Sequence, residues 1–169
     1  APVDGAPTLV GRLALDEGHG RVVRATLRYS ALGIVEAVLN GTRVSDELLT
    51  PGWSSYEWRL RVAETDVTAL VAARSTLELT LGNGWYRGSL TWMGATAVYG
   101  DELAAIAEIH LLFEDGHAQV WGTDERWTVR AGGILSDDLY HGQTIDARRR
   151  GSDSPEQAVR IVDEPGDRF

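Results

Sequence analysis

One strand-to-turn transition constrains the fold more than any other part of the sequence. Three leucines at alternate positions, Leu77, Leu79 and Leu81, predict a strand with one buried face. Three glycines follow within seven residues and enclose Trp85 and Tyr86. Since glycine permits positive φ, the chain can turn sharply at this point. The sequence therefore predicts a strand that ends in a tight aromatic turn. Its rings either pack in the core or form one wall of a ligand site.

The same two-residue alternation recurs along much of the chain. It is clear at 21–29, 34–39 and 57–62, and it favours a strand over a helix at 103–114 despite the alanines there. Asn40-Gly41 lies between two strand-like runs and is typical of a type I′ hairpin. With about eight or nine strands separated by turn signals, we predict an all-β fold, an antiparallel β-sandwich of jelly-roll type.

The chain length suits one domain. Residues 1–20 contain Pro2, Gly5 and Pro7 and are interpreted as a leader or linker. The sandwich is predicted to span 21–163, and 164–169 to link it to a missing downstream region.

Charge and composition exclude several kinds of function. Of the 169 residues, 43% are hydrophobic, which is enough for an ordinary core. The net charge is -9, which argues against a nucleic-acid-binding surface and against binding to anionic membranes. There is no cysteine, so the sequence offers neither a disulfide nor a thiolate nucleophile. These features favour a domain that takes a neutral ligand.

A catalytic apparatus is not apparent. The four histidines show no metal-ligand spacing, and no serine lies in a Gly-x-Ser-x-Gly motif. Adjacent acids are typical of solvated turns, although Asp137-Asp138 is less ordinary because Tyr140 and His141 follow directly. We assign no catalytic residue. A self-sufficient glycosidase would need Asp137 or Asp138 in a cleft, opposite a second carboxylate.

The aromatic and amide residues of the predicted loops suit a sugar. Sugar sites combine a ring face, which stacks on C–H groups, with amides that bond hydroxyls. The candidate ligand-binding residues are Asn40, Trp58, Asn83, Trp85 and Tyr86. The alternative for both asparagines is turn chemistry alone, because asparagine tolerates left-handed φ. For Trp85 and Tyr86 the alternative is burial.

Five segments, taken in order, resemble the N-terminal β-sandwich domain of bacterial α-L-rhamnosidases. They are Asn40-Gly41-Thr42-Arg43-Val44, Leu49-Thr50-Pro51-Gly52-Trp53-Ser54-Ser55-Tyr56, Asp66-Val67-Thr68, Leu81-Gly82-Asn83-Gly84-Trp85-Tyr86-Arg87-Gly88 and Asp138-Leu139-Tyr140-His141-Gly142-Gln143-Thr144-Ile145-Asp146-Ala147-Arg148. The resemblance covers roughly residues 21–150. Gln143 departs from a motif that often has Glu there, so no acidic role transfers to it.

The resemblance implies a jelly-roll accessory module of a glycosidase that releases terminal α-L-rhamnose on a separate helical barrel. It also implies two partners, which are the catalytic domain of the same parent chain and L-rhamnose or a rhamnosylated glycan. Some relatives bind the sugar through calcium, which makes Asn40 and Asn83 candidate ligands of calcium or sugar, with Trp58 or Trp85 as the aromatic face. The alternative is a purely structural domain that packs on the barrel.

Overall fold

A computed structural model describes residues 5–149 and 154–162, and its regular structure is almost entirely β. The strands are β1 (Thr8–Ala14), β2 (Val22–Leu32), β3 (Ile34–Leu39), β4 (Thr42–Arg43), β5 (Ala63–Asp66), β6 (Arg74–Gly82), β7 (Ser89–Leu90), β8 (Ala95–Thr96), β9 (Ala104–Phe113), β10 (Ala118–Gly122), β11 (Thr128–Arg130), β12 (Ile134–Asp138), β13 (Gly142–Ile145) and β14 (Gln157–Ala158). One helical turn, α1 (Gly84–Arg87), follows β6, and a 3-10 turn spans Ala147–Arg149.

Two antiparallel sheets form the sandwich. The larger has the order β14-β11-β1-β6-β3-β4, and the smaller has the order β10-β9-β2-β5. Two separate hairpins, β7-β8 and β12-β13, complete the described structure. The antiparallel sandwich predicted from the alternation is confirmed, whereas the jelly-roll connectivity stays a prediction.

The core lies between the two sheets because each strand turns alternate residues inward. Leu39, Leu77 and Leu79 of the larger sheet and Leu27 and Ile109 of the smaller sheet are all completely buried. They belong to one continuous apolar cluster. The alternation that predicted these strands is thus the alternation that fills the core.

The first strand corrects the predicted domain boundary. Residues 8–14 were expected to belong to a linker, but β1 lies inside the larger sheet between β11 and β6. Val10 and Leu13 of this strand are buried. Proline and glycine in the first seven residues indicated a linker, and the alternation of β1 is too short to have indicated a strand. The predicted leader residues 1–4 and the predicted linker 164–169 lie outside the described residues.

The prediction of a strand at 57–62 is wrong. That segment is a turn followed by irregular chain, and the strand is β5, which begins at Ala63. Trp58 is 79% exposed and Val62 is 63% exposed, so the apolar positions of this alternation do not face the core. The backbone of Trp58 is held in a turn instead, since its N–H donates to the Ser55 carbonyl at 2.8 Å.

The loops gather at two opposite ends of the sandwich. Leu32 pairs with Ala104 and Ile34 pairs with Gly82, so β2 and β6 end where β3 and β9 begin. We call this the loop end. It carries the segments 45–62 and 83–103 and the β12-β13 hairpin. Asn40 lies at the other end, beyond the final residue of β3. Among the described residues, no helix is long and apolar enough to span a bilayer.

Candidate ligand-binding end of the sandwich

The predicted aromatic turn is present and depends on glycine at two places. Gly84 has φ +51°, and a Cβ there would lie 2.7 Å from Cγ2 of Ile34. Gly33 has φ +124°, and a Cβ there would lie 2.4 Å from the Gly82 carbonyl oxygen. Because no side chain fits at either position, the turn after β6 can lie directly on the connection between β2 and β3.

Asp137 holds the start of this turn. Its Oδ2 accepts a 2.7 Å hydrogen bond from the Asn83 backbone N–H, and its carbonyl accepts a 2.6 Å bond from Nδ2 of Asn83. Nε of Arg87 in turn donates to Oδ1 of Asn83 at 2.5 Å. Asp137 is only 7% exposed, and its Oδ1 has no hydrogen-bond partner. Burial therefore raises the pKa of Asp137, although the Asn83 bond and the Arg87 charge oppose the shift.

Asp138 holds the end of the same turn. Its Oδ2 accepts the Ser89 N–H at 2.6 Å, and its Oδ1 accepts the N–H groups of Tyr140 and His141 at 2.8 and 3.1 Å. Desolvation alone would raise the pKa of Asp138, but these backbone donors outweigh it and lower the pKa to about 2. The β12-β13 hairpin therefore holds α1 at both ends, because Asp137 accepts a hydrogen bond just before this helical turn and Asp138 accepts one just after it.

An aromatic cluster joins the two long segments of the loop end. The rings of Trp53 and Trp85 stack with centroids 6.1 Å apart and an interplanar angle of 5°. Tyr56 contacts Tyr86 and Tyr99 at centroid distances of 5.1 and 5.0 Å. Both distances are typical of favourable ring pairs. The hydroxyl of Tyr56 is buried with no hydrogen-bond partner, and this burial raises the pKa of Tyr56 to about 12.

The cluster leaves one indole half open to solvent. Trp53 is 49% exposed, and its Nε1 donates to the Tyr99 hydroxyl at 3.3 Å. The ring is therefore held on one face by Trp85 and at one edge by Tyr99. A fixed, partly exposed ring of this kind can stack on an apolar ligand face without losing further side-chain freedom.

A shallow surface depression is lined mainly by the residues that come just before Trp53 in the sequence. Its lining includes Glu47, Thr50, Gly52 and Arg61. The Thr50 carbonyl accepts the Val35 N–H at 2.7 Å, so β3 fixes one side of the depression. On the other side, the Arg61 carbonyl accepts the Ser30 hydroxyl at 2.7 Å. The depression thus offers the carboxylate of Glu47 and the guanidinium of Arg61, on segments whose backbone is hydrogen-bonded to the sheets. Both groups can form hydrogen bonds with hydroxyl groups.

Asn40 lies far from this end. Its φ is +51° and that of Gly41 is +80°, as the predicted type I′ turn requires. Its Nδ2 donates to the Leu70 carbonyl at 2.8 Å and to Oγ of Ser75 at 3.0 Å, while Oδ1 accepts the Thr76 N–H at 2.9 Å. Since six residues of β3 separate this turn from the loop end, Asn40 and Asn83 are about 20 Å apart.

Asn40 and Asn83 do not fit one calcium site. They occupy opposite ends of the β3-β6 pair, and both amide oxygens already accept hydrogen bonds from the chain. The cationic Arg87 also contacts Asn83, which opposes a second cation there. Among the described residues, no group of three or more His, Asp or Glu side chains could hold a metal. Calcium binding stays a prediction, but Asn40 and Asn83 do not together form its site.

The other predicted site residues have different environments. Trp85 and Tyr86 are partly buried members of the aromatic cluster, whereas Trp58 is largely exposed on the 45–62 segment. Asn83 shares the loop end with them but supports the turn with all of its amide atoms. The structure therefore brings four of the five candidates to one end and leaves Asn40 at the other.

Sequence reasoning did not assign several residues of this end. The half-exposed ring is that of Trp53, which sequence reasoning named only within the segment 49–56 and not as a candidate ligand-binding residue. Glu47 and Arg61 gave no signal, since single charges in loops are common. Pro51-Gly52 was the available clue, because a turn fixes the direction in which the next side chain leaves the backbone.

Neither acid of the Asp137-Asp138 pair lies in an open cleft. Asp137 is buried, and both oxygens of Asp138 accept backbone hydrogen bonds. Their arrangement is that of structural clamps and does not match what a self-sufficient glycosidase requires.

Two antiparallel sheets that carry an aromatic loop cluster at one end define a β-sandwich domain. The family described as the α-L-rhamnosidase N-terminal domain matches residues 20–160. The chain therefore belongs to the family of α-L-rhamnosidase N-terminal domains.

Individual relatives agree with this assignment. An α-L-rhamnosidase of Streptomyces avermitilis is 34% identical over 168 aligned residues, which cover 87% of this chain and 16% of that relative. A solved structure of Streptomyces avermitilis α-L-rhamnosidase complexed with L-rhamnose matches 95% of this chain and 16% of its own, with TM-score 0.88 and 33% identity. Native α-L-rhamnosidase of Aspergillus terreus matches 88% of this chain and 17% of its own, with TM-score 0.82 and 30% identity. The chain thus spans about a sixth of the length of these relatives.

Proposed function

We propose that this chain is a non-catalytic module of an α-L-rhamnosidase and that its loop end binds L-rhamnose-bearing glycans. Family membership and the small share of each relative that the chain covers support the first part. The relative solved with L-rhamnose supports the sugar as ligand class. Hydrolysis itself is assigned to the remainder of the parent chain.

The half-exposed ring of Trp53 carries the proposal. Stacking on Trp85 fixes the plane of the indole, and the depression with Glu47 and Arg61 lies next to it in the chain. A 6-deoxy sugar such as L-rhamnose has an apolar methyl group and C–H groups to place on the ring. Its hydroxyls can then bond the neighbouring carboxylate and guanidinium. This pairing of an apolar face with polar neighbours is what such a sugar needs.

A second candidate is a structural module that packs on the catalytic domain. It is favoured by the hydrogen bonds that both asparagine side chains make within the fold, which give each of them a structural role. It is also favoured by several large apolar side chains that remain exposed at the loop end.

Calorimetric titration with L-rhamnose distinguishes the two candidates. We expect a saturable binding signal for the wild type and at least a tenfold weaker affinity for Trp53→Ala and Arg61→Ala. Tenfold corresponds to about 1.4 kcal/mol. Trp53→Phe, which keeps a ring, should retain most of the affinity. Each titration is repeated with calcium and with chelator, which tests the calcium prediction directly.

Trp92→Ala serves as the matched control, because it removes an equally large but fully exposed indole from a different loop. Absence of any binding by a folded wild type, with or without calcium, would reject the sugar proposal in favour of the structural candidate. Equal losses in Trp53→Ala and Trp92→Ala would reject the placement of the site.

A further inference from the structure

The β7-β8 hairpin has a firmly held base. The Ser89 N–H donates to Asp138 at 2.6 Å at its start, and the Ala97 N–H donates to the Arg87 carbonyl at 2.9 Å at its end. Ser89 is buried. Both bonds connect the hairpin to the turn and carboxylate clamp described above, so its direction is fixed by the loop end.

The tip of this hairpin is apolar and projects into solvent. Trp92 is 100% exposed and Met93 is 89% exposed. Thr91 has φ +73° and Ala97 has φ +54°, although a β-branched residue is unfavourable in the left-handed region. Such backbone is energetically unfavourable and tends to cluster at functional sites. The hairpin therefore combines strain with two unsupported large side chains.

The chemistry of the tip fits a protein surface and does not fit a sugar. The residues around Trp92 are Leu90, Thr91, Met93 and Gly94, and no amide, carboxylate or guanidinium side chain is among them. Among these neighbours, a sugar on this ring would have only the Thr91 hydroxyl as a side-chain partner for its own hydroxyls. Tryptophan and methionine are, in contrast, enriched in the buried centres of protein interfaces, where tryptophan often dominates the binding energy.

We propose that Trp92 and Met93 form a docking anchor that inserts into an apolar pocket in the remaining polypeptide of the parent chain. This inference rests on the proposed function in so far as it requires a longer parent. The relatives support that occupant, because the chain covers only 16% of the Streptomyces avermitilis relative.

Hydrogen–deuterium exchange of the full-length parent and of the isolated chain tests the anchor. We expect peptides covering residues 89–97 to exchange at least tenfold more slowly in the parent. The double variant Trp92→Ser/Met93→Ser should raise exchange in the parent to the level of the isolated chain. Trp58→Ser, which changes another exposed indole on the same end, should leave the protection of 89–97 unchanged.

Equal exchange of 89–97 in the parent and the isolated chain would overturn the proposal. So would sedimentation showing that the isolated chain dimerises through this hairpin, because the occupant would then be a second copy. L-Rhamnose titration of the wild type separates the two proposals. Absence of sugar binding with protected 89–97 in the parent rejects the sugar site alone, and unprotected 89–97 with intact sugar binding rejects the anchor alone.

Discussion

At the scale of single residues, two neighbouring acids have opposite electrostatic roles. Asp137 is buried with one oxygen unpartnered, and burial raises its pKa. Asp138 accepts three backbone N–H groups, which lower its pKa to about 2 despite desolvation. Because successive residues of a strand point to opposite faces, one hairpin offers two different environments within two positions.

These shifts predict opposite effects of acid on the free energy of unfolding. For Asp138 the folded pKa of about 2 lies below the ordinary value of 3.8. Its ionised form therefore stabilises the fold above pH 4, and that contribution is lost as the pH falls toward 2. Asp137 has a raised pKa, so its protonation adds stability as the pH falls through the folded pKa, and most of that gain is present once the pH reaches the ordinary value of 3.8. We expect Asp138→Asn to flatten the loss of stability between pH 4 and 2. Asp137→Asn should remove the gain that the wild type acquires mainly above pH 4.

Urea denaturation at several pH values on both sides of 3.8 measures both effects. Asp46→Asn, at an exposed position, serves as the control and should follow the wild type. Indistinguishable slopes for all three variants would contradict the assigned roles.

At the scale of elements, Asn40 connects the β3-β4 hairpin to the segment before β6. Three hydrogen bonds of its amide reach Leu70, Ser75 and Thr76. This one residue therefore both makes the turn and fixes the neighbouring loop, which explains its position without a ligand.

Two substitutions of Asn40 separate the structural role from a ligand role. Asn40→Ala should lower the free energy of unfolding by about 1–3 kcal/mol, because it removes three hydrogen bonds and places alanine in the left-handed region. Asn40→Asp keeps the acceptor for Thr76 and tolerates this φ, but it turns a carboxylate oxygen toward the Leu70 carbonyl oxygen in place of a donor, so it should also lose stability. Urea denaturation measures the stability, and calorimetry should show unchanged L-rhamnose affinity in both folded variants. A weakened affinity in either folded variant would restore Asn40 as a sugar ligand.

The same elements show what the sequence could and could not predict. Strands such as β6 and β9 were predictable because their alternation is long and buried on one face. The alternation of apolar and charged residues at 57–62 led to a wrong strand prediction, since exposed residues can alternate in this way by chance. The role of Asp137 was not predictable, because its partner Asn83 is 54 residues away in the chain and only the tertiary structure brings the two residues together.

At the scale of the whole molecule, the described C-terminal residues 154–162 supply the edge strand β14 of the larger sheet. Glu156 forms a bidentate pair with Arg12 at 2.7 and 3.1 Å and accepts the Thr128 hydroxyl at 2.6 Å. The hydrogen bond from Arg12, followed by that from Thr128, lowers the pKa of Glu156 to about 2. The side chain of Glu156, directly before edge strand β14, therefore connects this strand to β11 and β1.

Glu156→Gln should loosen this connection. We expect amide exchange at residues 157–159 to accelerate by about tenfold, because one neutral amide cannot replace a bidentate ion pair. Hydrogen exchange followed by mass spectrometry measures this change. Arg160→Gln, which breaks only the exposed pair with Glu102, should change exchange at 157–159 much less. The opposite ranking of the two variants would assign the connection to Arg160.

The clamp made by Asp137 and Asp138 has a consequence for sequence variation. Both carboxylates accept hydrogen bonds from main-chain N–H groups, which are those of Asn83, Ser89, Tyr140 and His141. Arg87, Gly88 and Ser89 also take part in the clamp. Every residue except proline supplies a main-chain N–H group, so the clamp does not depend on the side chains at the hairpin tip, positions 90–93. Related domains can therefore diversify these side chains while the backbone keeps its course. The same property makes the segment a suitable place for laboratory libraries that seek new ligand preferences on an unchanged scaffold.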